Sequence, residues 1–327
     1  MDQESTTGIF TTGQAERLST QPVVGRSLWT DARRRLTRDR GAMICLAIIG
    51  LYALMAIGGA VYIAVAEHTH VWPTFQEMAD YSHTNQPPSA DSWLHWLGTD
   101  WAGKSILIKT ILGATASLTV GLMANVIAVS LGMILGALAG YYGGRMDMVI
   151  VWLFSTLESI PGIILLISLK YAFKNVTILG VDLSGIHGVY IALGIISWIG
   201  TCRLVRAEVM KIRELEYVMA ARATGTGNLM ILFRHVMPNV FHLGIINFSL
   251  GFVGAVSAEV ILSYLGLGVA VGTPSWGTMI NAARQDLFIG RWWELTSAVT
   301  ALFFLVLALN IFGDRLRDAL DPKLRNV

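Results

Sequence analysis

Charge and cysteine are what this sequence has least of. Aspartate, glutamate, lysine and arginine make up 14% of its 327 residues, against 54% hydrophobic residues and a mean hydropathy of +0.58. A water-soluble domain carries about a quarter of charged residues, so a soluble enzyme or binding module of this size is excluded. The net charge of +2 says little by itself and its distribution says more; no nucleic-acid partner is expected. Two cysteines, Cys45 and Cys202, cannot found a disulfide framework; both fall near ends of apolar runs and are expected as free thiols. No nucleophile and base stand together in a convincing context, so no catalytic residue is assigned.

What is present instead is a series of long uncharged runs. A helix needs roughly 20 apolar residues to cross a bilayer core. Six runs read as spans: 43–66, the charge-free stretch beginning at 110, 148–169 with a bend near Pro161, 186–202, 240–263 and 295–313. The first is longer than the roughly 7–15 apolar residues of a signal peptide and reads as an uncleaved anchor. Residues 1–42 form a polar N-terminal segment in which 27–40 is basic and amphipathic, with Leu28, Trp29, Ala32 and Leu36 on one face. Such a helix lies on an anionic leaflet, so membrane lipids are expected partners. Residues 67–109 form an outer segment with Trp72, Trp93, Trp96 and Trp101 at the interface. A core of five spans occupies 110–313, with a loop at 203–239, and 314–327 is a basic tail. With the N-terminus in the cytosol, eighteen of the 24 lysines and arginines lie inside and six outside, as the positive-inside rule requires. Gly132, Gly136, Gly140 and Gly144 recur every four residues and predict close helix packing.

Residues 216–239 form a polar island between apolar runs. Ala220, Ala221 and Ala223 favour a helix between Glu216 and Arg222. Gly225 and Gly227 stop it and permit a reversal. Asn228 is placed to cap a second amphipathic helix through Leu229, Ile231, Leu232 and Phe233, ending towards Pro238. The predicted element is a knob of two short helices on the cytoplasmic side. The order Ala220-Ala221, Gly225, Pro238 resembles the EAA loop of importer-type ABC permeases, although Met219 stands where that family has glutamate. Glu216, Tyr217, Val218, Arg222, Ala223, Arg234, His235 and Asn239 extend the likeness to the peptide-importing branch. The resemblance implies that Glu216, Ala220, Ala221, Arg222, Gly225, Gly227, Arg234 and Pro238 dock onto a cytoplasmic ATPase.

Other stretches are similar to the same family. Residues 98–105 match the phosphate-binding pattern G-x-x-x-x-G-K-S, but the flanks are an aromatic segment and a membrane span rather than a strand and a soluble helix. Gly98, Thr99 and Asp100 instead resemble the family's Leu-Gly-Thr-Asp signature, from which Lys104 and Ser105 depart. Gly143, Gly144 and Asp147 resemble its first cytoplasmic turn, with Asp147 placed to cap the following helix. Residues 258–268 and Trp276 resemble a further peptide-permease signature, and residues 25–35 resemble the N-terminus of the C-type permease of oligopeptide importers.

Glu158 and Glu259 are the acids inside the predicted spans. A carboxylate at that depth is costly and faces protein or water. With Pro161 they are candidates for lining or gating a pathway, and the alternative of a structural bond to a neighbouring helix stays open. His68, His70, His83 and His95 lie in the outer segment without cysteines nearby, and no metal site is assigned.

The resemblance implies an all-α polytopic membrane protein with six transmembrane helices and the MetI-like ABC importer permease fold, its coupling-helix (EAA) loop in the cytosol. It implies a C-type subunit in a bacterial inner membrane, paired with a B-type permease, two ATPases that bind ATP-Mg, and an extracytoplasmic binding protein that delivers peptide. This chain itself would bind no cofactor. Nickel chelate or glutathione are alternative cargoes. A self-contained ion-coupled transporter would show internal repeats and several intramembrane ionisable groups, and a membrane scaffold would not need the knob.

Overall fold

Between residues 41 and 66 no side chain is charged, and the whole run is one helix, α2, Arg40–Thr69, preceded by the amphipathic α1, Leu28–Arg38. These and the following elements come from a computed structural model that describes residues 28–69, 71–178, 180–270 and 272–320, with side chains from residue 32 onward. The expectations placed on residues 1–27, on the side chains of Leu28 and Trp29, on His70 and on the tail from 321 lie outside the described residues. The remaining helices are α3 (Ile106–Tyr142), α4 (Gly144–Glu158), α5 (Gly162–Ala172), α6 (Ile186–Ile212), α7 (Glu216–Ala223), α8 (Asn228–Ile231), α9 (Met237–Tyr264), α10 (Trp276–Asp286) and α11 (Trp293–Leu320). A two-residue hairpin, β1 (Thr177–Ile178) with β2 (Val181–Asp182), joins α5 to α6. Among the described residues five helices are long and apolar enough to cross a membrane, and six if α4 and α5 count as one broken span.

The helices overrun the apolar runs that announced them. α2 begins three residues before and ends three after the expected 43–66, and α6 continues ten residues past 202. Backbone bonds are satisfied within a helix wherever the chain goes, so a span need not end where hydropathy falls. The third run, expected at 148–169 with a bend near Pro161, does bend there, and sharply enough to become two helices. Its halves, α4 and α5, meet at 93°. Pro161 lacks the N–H that would continue the ladder, and it stands as N-cap of α5 with its neighbour Gly162 opening the new helix. The stretch after α9 contains a helix, α10, held by a capping box in which Ser275 Oγ accepts from the Thr278 amide at 3.1 Å and Thr278 Oγ1 accepts from the Ser275 amide at 2.9 Å.

The core forms where α3 lies against α6. An added Cβ on Gly136 would stand 2.6 Å from the Cys202 carbonyl oxygen, and one on Gly140 would stand 2.7 Å from that of Arg206. Gly132 meets α6 in the same way, so three of the four spaced glycines line this contact. Gly144 does not; it takes φ +53 in the turn after α3, beside Gly143 at φ +64. Cys45 and Cys202 are free and buried.

Replacing Gly136 by valine is expected to force these two backbones apart at a cost of about 1–3 kcal/mol. Gly200→Ala is the control, since nothing lies within 4 Å of its added Cβ. Thermal unfolding of the purified protein in detergent checks both: the midpoint should fall for Gly136→Val and hold for Gly200→Ala.

Candidate functional site

The knob is built from the end of α6 onward. Arg213, just past α6, turns back and donates from Nη1 to the Gly140 carbonyl at 2.9 Å, tying the end of α6 to the end of α3. α7 then runs from Glu216, whose charge sits favourably in a first helical turn. It stops in a Schellman turn. The Thr226 amide donates to the Ala221 carbonyl at 3.2 Å, the Gly225 amide donates to that of Arg222 at 3.1 Å, and Gly225 takes φ +80. A residue with a side chain is strained at that φ.

Both arms of the knob are bedded in one hydrophobic cluster. Val218 from α7 and Ile231 from α8 are fully buried with Val205 and Val209 of α6, Tyr141 of α3 and Val236 beyond α8. The other faces are open. Leu229, Met230 and Phe233 are 60%, 55% and 62% exposed, and Met219 and Tyr217 stand out beside them. Five large apolar side chains left in water at a reversal are the signature of a surface that binds something.

The sequence misplaces the second half of this element. Gly227, not Asn228, is the N-cap of α8, and it caps through its backbone alone. The Asn228 side chain instead accepts from the Tyr141 hydroxyl at 3.2 Å. The second helix also does not end at Pro238. It passes through a π turn, Leu232–Val236, into α9 with Pro238 in the first turn. Proline cannot donate and its ring crowds the carbonyl four residues back; the wider π turn absorbs that mismatch, so the knob is continuous with the fifth span.

Of the residues expected to dock, Glu216, Ala220, Arg222, Gly225, Gly227, Arg234 and Pro238 are exposed and Ala221 is half-buried against the cluster. Arg222 lies over the Tyr141 ring at 5.8 Å, so its charge is partly held by α3. The Tyr217 hydroxyl accepts from Asn239 Nδ2 at 3.1 Å, and burial raises its pKa above the ordinary tyrosine value. Asp147 does not cap α4, whose N-cap is Gly143; it forms a two-pronged pair with Arg206 of α6 at 2.5 and 2.7 Å. The side chain is one turn inside the helix, and the guanidinium is the stronger partner.

The pathway candidates separate. Glu158 is the last residue of α4, exposed, and ion-paired with Arg203 of α6. Glu259 is fully buried in α9, accepting from Ser117 Oγ of α3 at 2.8 Å and Ser263 Oγ at 2.6 Å. Oε2 thus joins α9 to α3, while Oε1 is held by a serine one turn further along its own helix.

At the opposite end lies a cluster that sequence reasoning missed. Lys109 Nζ of α3 reaches Asp100 Oδ2 at 2.9 Å and Glu294 Oε1, at the start of α11, at 2.6 Å, and all three are buried. Lys109 and Glu294 are 185 residues apart and share no pattern. The 98–105 loop folds around the same carboxylate. Asp100 Oδ1 accepts from the amides of Ala102 at 2.9 Å and Lys104 at 3.0 Å, so these donors serve the chain's own acid. Thr99 Oγ1 bridges the His83 carbonyl and the Gln86 amide, while Gly98 takes φ +81 at the loop's start. Lys104 lies over the Phe75 ring at 4.4 Å, and burial lowers its pKa. Trp276 is fully buried, donating to the Thr110 carbonyl at 3.0 Å. His83 pairs with Asp80 at 2.8 Å, and the Ser82 hydroxyl leads in drawing that carboxyl down to about 2. Among the described residues no three His, Cys, Asp or Glu side chains are grouped to hold a metal ion.

Against known proteins, the family described as binding-protein-dependent transport system inner membrane component matches residues 132–326, and the N-terminal TM domain of oligopeptide transport permease C matches residues 27–88. The dipeptide transport system permease protein DppC of Bacillus subtilis is 35% identical over 295 residues, 90% of this chain and 86% of its own length. The oligopeptide permease protein OppC of the same organism is 34% identical over 96% of this chain and 94% of its own. The glutathione permease protein GsiD of Pectobacterium atrosepticum is 34% identical over 94% and 97%. Among solved structures, the inward-facing MetNI methionine ABC transporter matches with a TM-score of 0.50 at 17% identity, over 66% of this chain and 96% of that one, which shows a shared fold.

Two predictions follow from the buried acids. Lys109→Met leaves two carboxylates buried without a counter-charge and should cost about 3–5 kcal/mol; adding Glu294→Gln should recover part of it, as read from the unfolding midpoint. Glu259→Gln should be mild because the amide still accepts a hydrogen bond. Glu259→Leu should lose about 1–2 kcal/mol by stranding two hydroxyls, measured as a lower yield of folded protein.

Proposed function

We start from the fact that the chain belongs to the family of binding-protein-dependent transport system inner membrane components, and we propose that it imports peptides as one half of a two-permease pathway. It is a permease subunit of an ATP-binding-cassette importer with the MetI-like fold. The relatives named for oligopeptide and dipeptide transport support a peptide cargo, and the glutathione relative supports a modified tripeptide as the second reading. The partner across the pathway is a homologous B-type permease. The knob faces the cytosol and meets one of two ATPases, which bind the ATP-Mg, while an extracytoplasmic binding protein delivers substrate at the Asp100 end. This chain binds no nucleotide and catalyses nothing.

The knob's construction carries the reading. It is fixed from beneath by Val218 and Ile231 and presents Leu229, Met230 and Phe233 outward. Because α8 runs through a π turn into α9, and α6 is bonded to α3 at Arg213, a push on the knob acts on spans rather than on a flexible loop. Closing and opening of an ATPase pair would then bias the spans between two arrangements. An ion-coupled transporter would need free intramembrane acids, and Glu259 is already occupied by two serines.

Gly225→Pro and Phe233→Asp are the test. Proline cannot take φ +80, and an aspartate in an apolar contact should cost about 2 kcal/mol or more, roughly a 30-fold loss of affinity. Both proteins should reach the membrane, while ATPase co-purification and peptide uptake fall. Normal uptake with normal co-purification in both variants would overturn the docking role.

A further inference from the structure

Two apolar grooves lie end to end along α11. The larger, about 490 Å³, runs between α2, α3, α9 and α11 and is lined by Ala53, Ile57, Phe248, Leu305, Phe312 and Leu316. The second, about 340 Å³, continues from the same Phe312 and Leu316 to Leu320, under α1. Its rim includes Arg33. Ala53 and Ile57 are exposed, so the larger groove opens sideways to whatever surrounds the helices.

From Leu305 to Leu320 is fifteen residues of helix, about 22 Å at the usual rise. Half of a bilayer's hydrocarbon core is about 15 Å. The combined groove therefore spans one leaflet and emerges at headgroup depth. The two volumes, about 340 and 490 Å³, lie within the roughly 300–1,000 Å³ of small-ligand sites, and spread over about 22 Å they are less than a helix about 10 Å across would fill over that length. At the emerging end the charge is net positive, since Asp314 and Asp318 at the end of α11 are matched by Arg315 and Arg317 and α1 adds an excess of arginine. Residues 32–40 hold five arginines and one acid, Asp39, which is already engaged by Arg315 at 3.3 Å. Arg33, Arg34 and Arg38 make no ion pair among the described residues.

We propose that the two grooves form a single site for an anionic phospholipid of the leaflet on the α1 side, with an acyl chain between Ala53 and Phe312 and the phosphate beside Arg33. The apolar length selects a lipid, and the arginines select an anionic headgroup. The lipid would fill the seam between α2 and the helices α9 and α11, and would fix α1 at the membrane surface. This rests on the helices spanning a membrane and does not depend on the cargo.

The experiment is native mass spectrometry of the complex, purified with its co-purifying subunits and incubated with equimolar phosphatidylglycerol and phosphatidylcholine. Wild type should keep one phosphatidylglycerol per copy of this chain, with about a tenfold preference, the factor that one or two arginines near an anionic surface supply. Arg33→Gln should reduce that preference at least threefold while the lipid chain still binds. Ala53→Phe should remove the adduct and leave subunit composition unchanged. Equal retention of the two lipids by wild type would overturn the proposal, as would an adduct that survives Ala53→Phe. So would loss of a partner permease from Ala53→Phe with no lipid on wild type, which would assign the groove to a protein span.

Discussion

Gly132, Gly136 and Gly140 let α3 lie backbone to backbone against α6, with no room for even a methyl group at the Cys202 and Arg206 carbonyls. In a membrane, where lipid competes for apolar contact, such close approach is what holds helices together. It also decides where everything at the knob end sits. The same pair of helices carries Tyr141, Val205 and Val209, the bed for Val218 and Ile231, and it sets Arg213 within reach of the Gly140 carbonyl.

Charge is used sparingly, and the buried and half-buried instances are mostly paired across elements. Lys109 joins the 98–105 loop to α3 and α11, Glu259 joins α9 to α3, and Arg206 joins α6 to the start of α4. Lys170, near the end of α5, donates to the carbonyls of Ser184 at 2.6 Å and Gly185 at 2.8 Å, clamping the hairpin ahead of α6. In a low-dielectric surrounding an unpaired charge is expensive, so each of these contacts fixes the relative placement of helices that apolar packing alone would leave free to slide. The broken span is held the same way, by Arg206 at one end and Lys170 at the other, while its middle bends at Pro161.

The knob combines a stiff attachment with an unfinished surface. Its first helix ends in a Schellman turn that only a residue tolerant of positive φ completes, and its second passes without a break into a span. Movement imposed on Leu229 or Phe233 therefore reaches α9 through helix rather than coil. Pro238 stands in the first turn of α9 without ending the helix, because the π turn before it accommodates the ring.

The sequence by itself determined the class of the protein, the count of apolar runs, the glycine stripe and the location of the knob. Each of these is a local signal: a length without charge, a period of four, or a glycine after alanines. It also pointed to the reversal at Gly225 and the bend at Pro161, because both residues restrict or release their own backbone. It misjudged Asn228, Asp147 and the end of the second knob helix, since side chains with good capping chemistry found better partners in Tyr141 and Arg206, on other helices. The Asp100–Lys109–Glu294 cluster, the 93° size of the bend and the groove along α11 were decided only by tertiary structure. They depend on which helices become neighbours, and that is settled by packing between residues 185 positions apart and more, up to 249 for Tyr52 bonded to the Ala301 carbonyl, that no local pattern encodes.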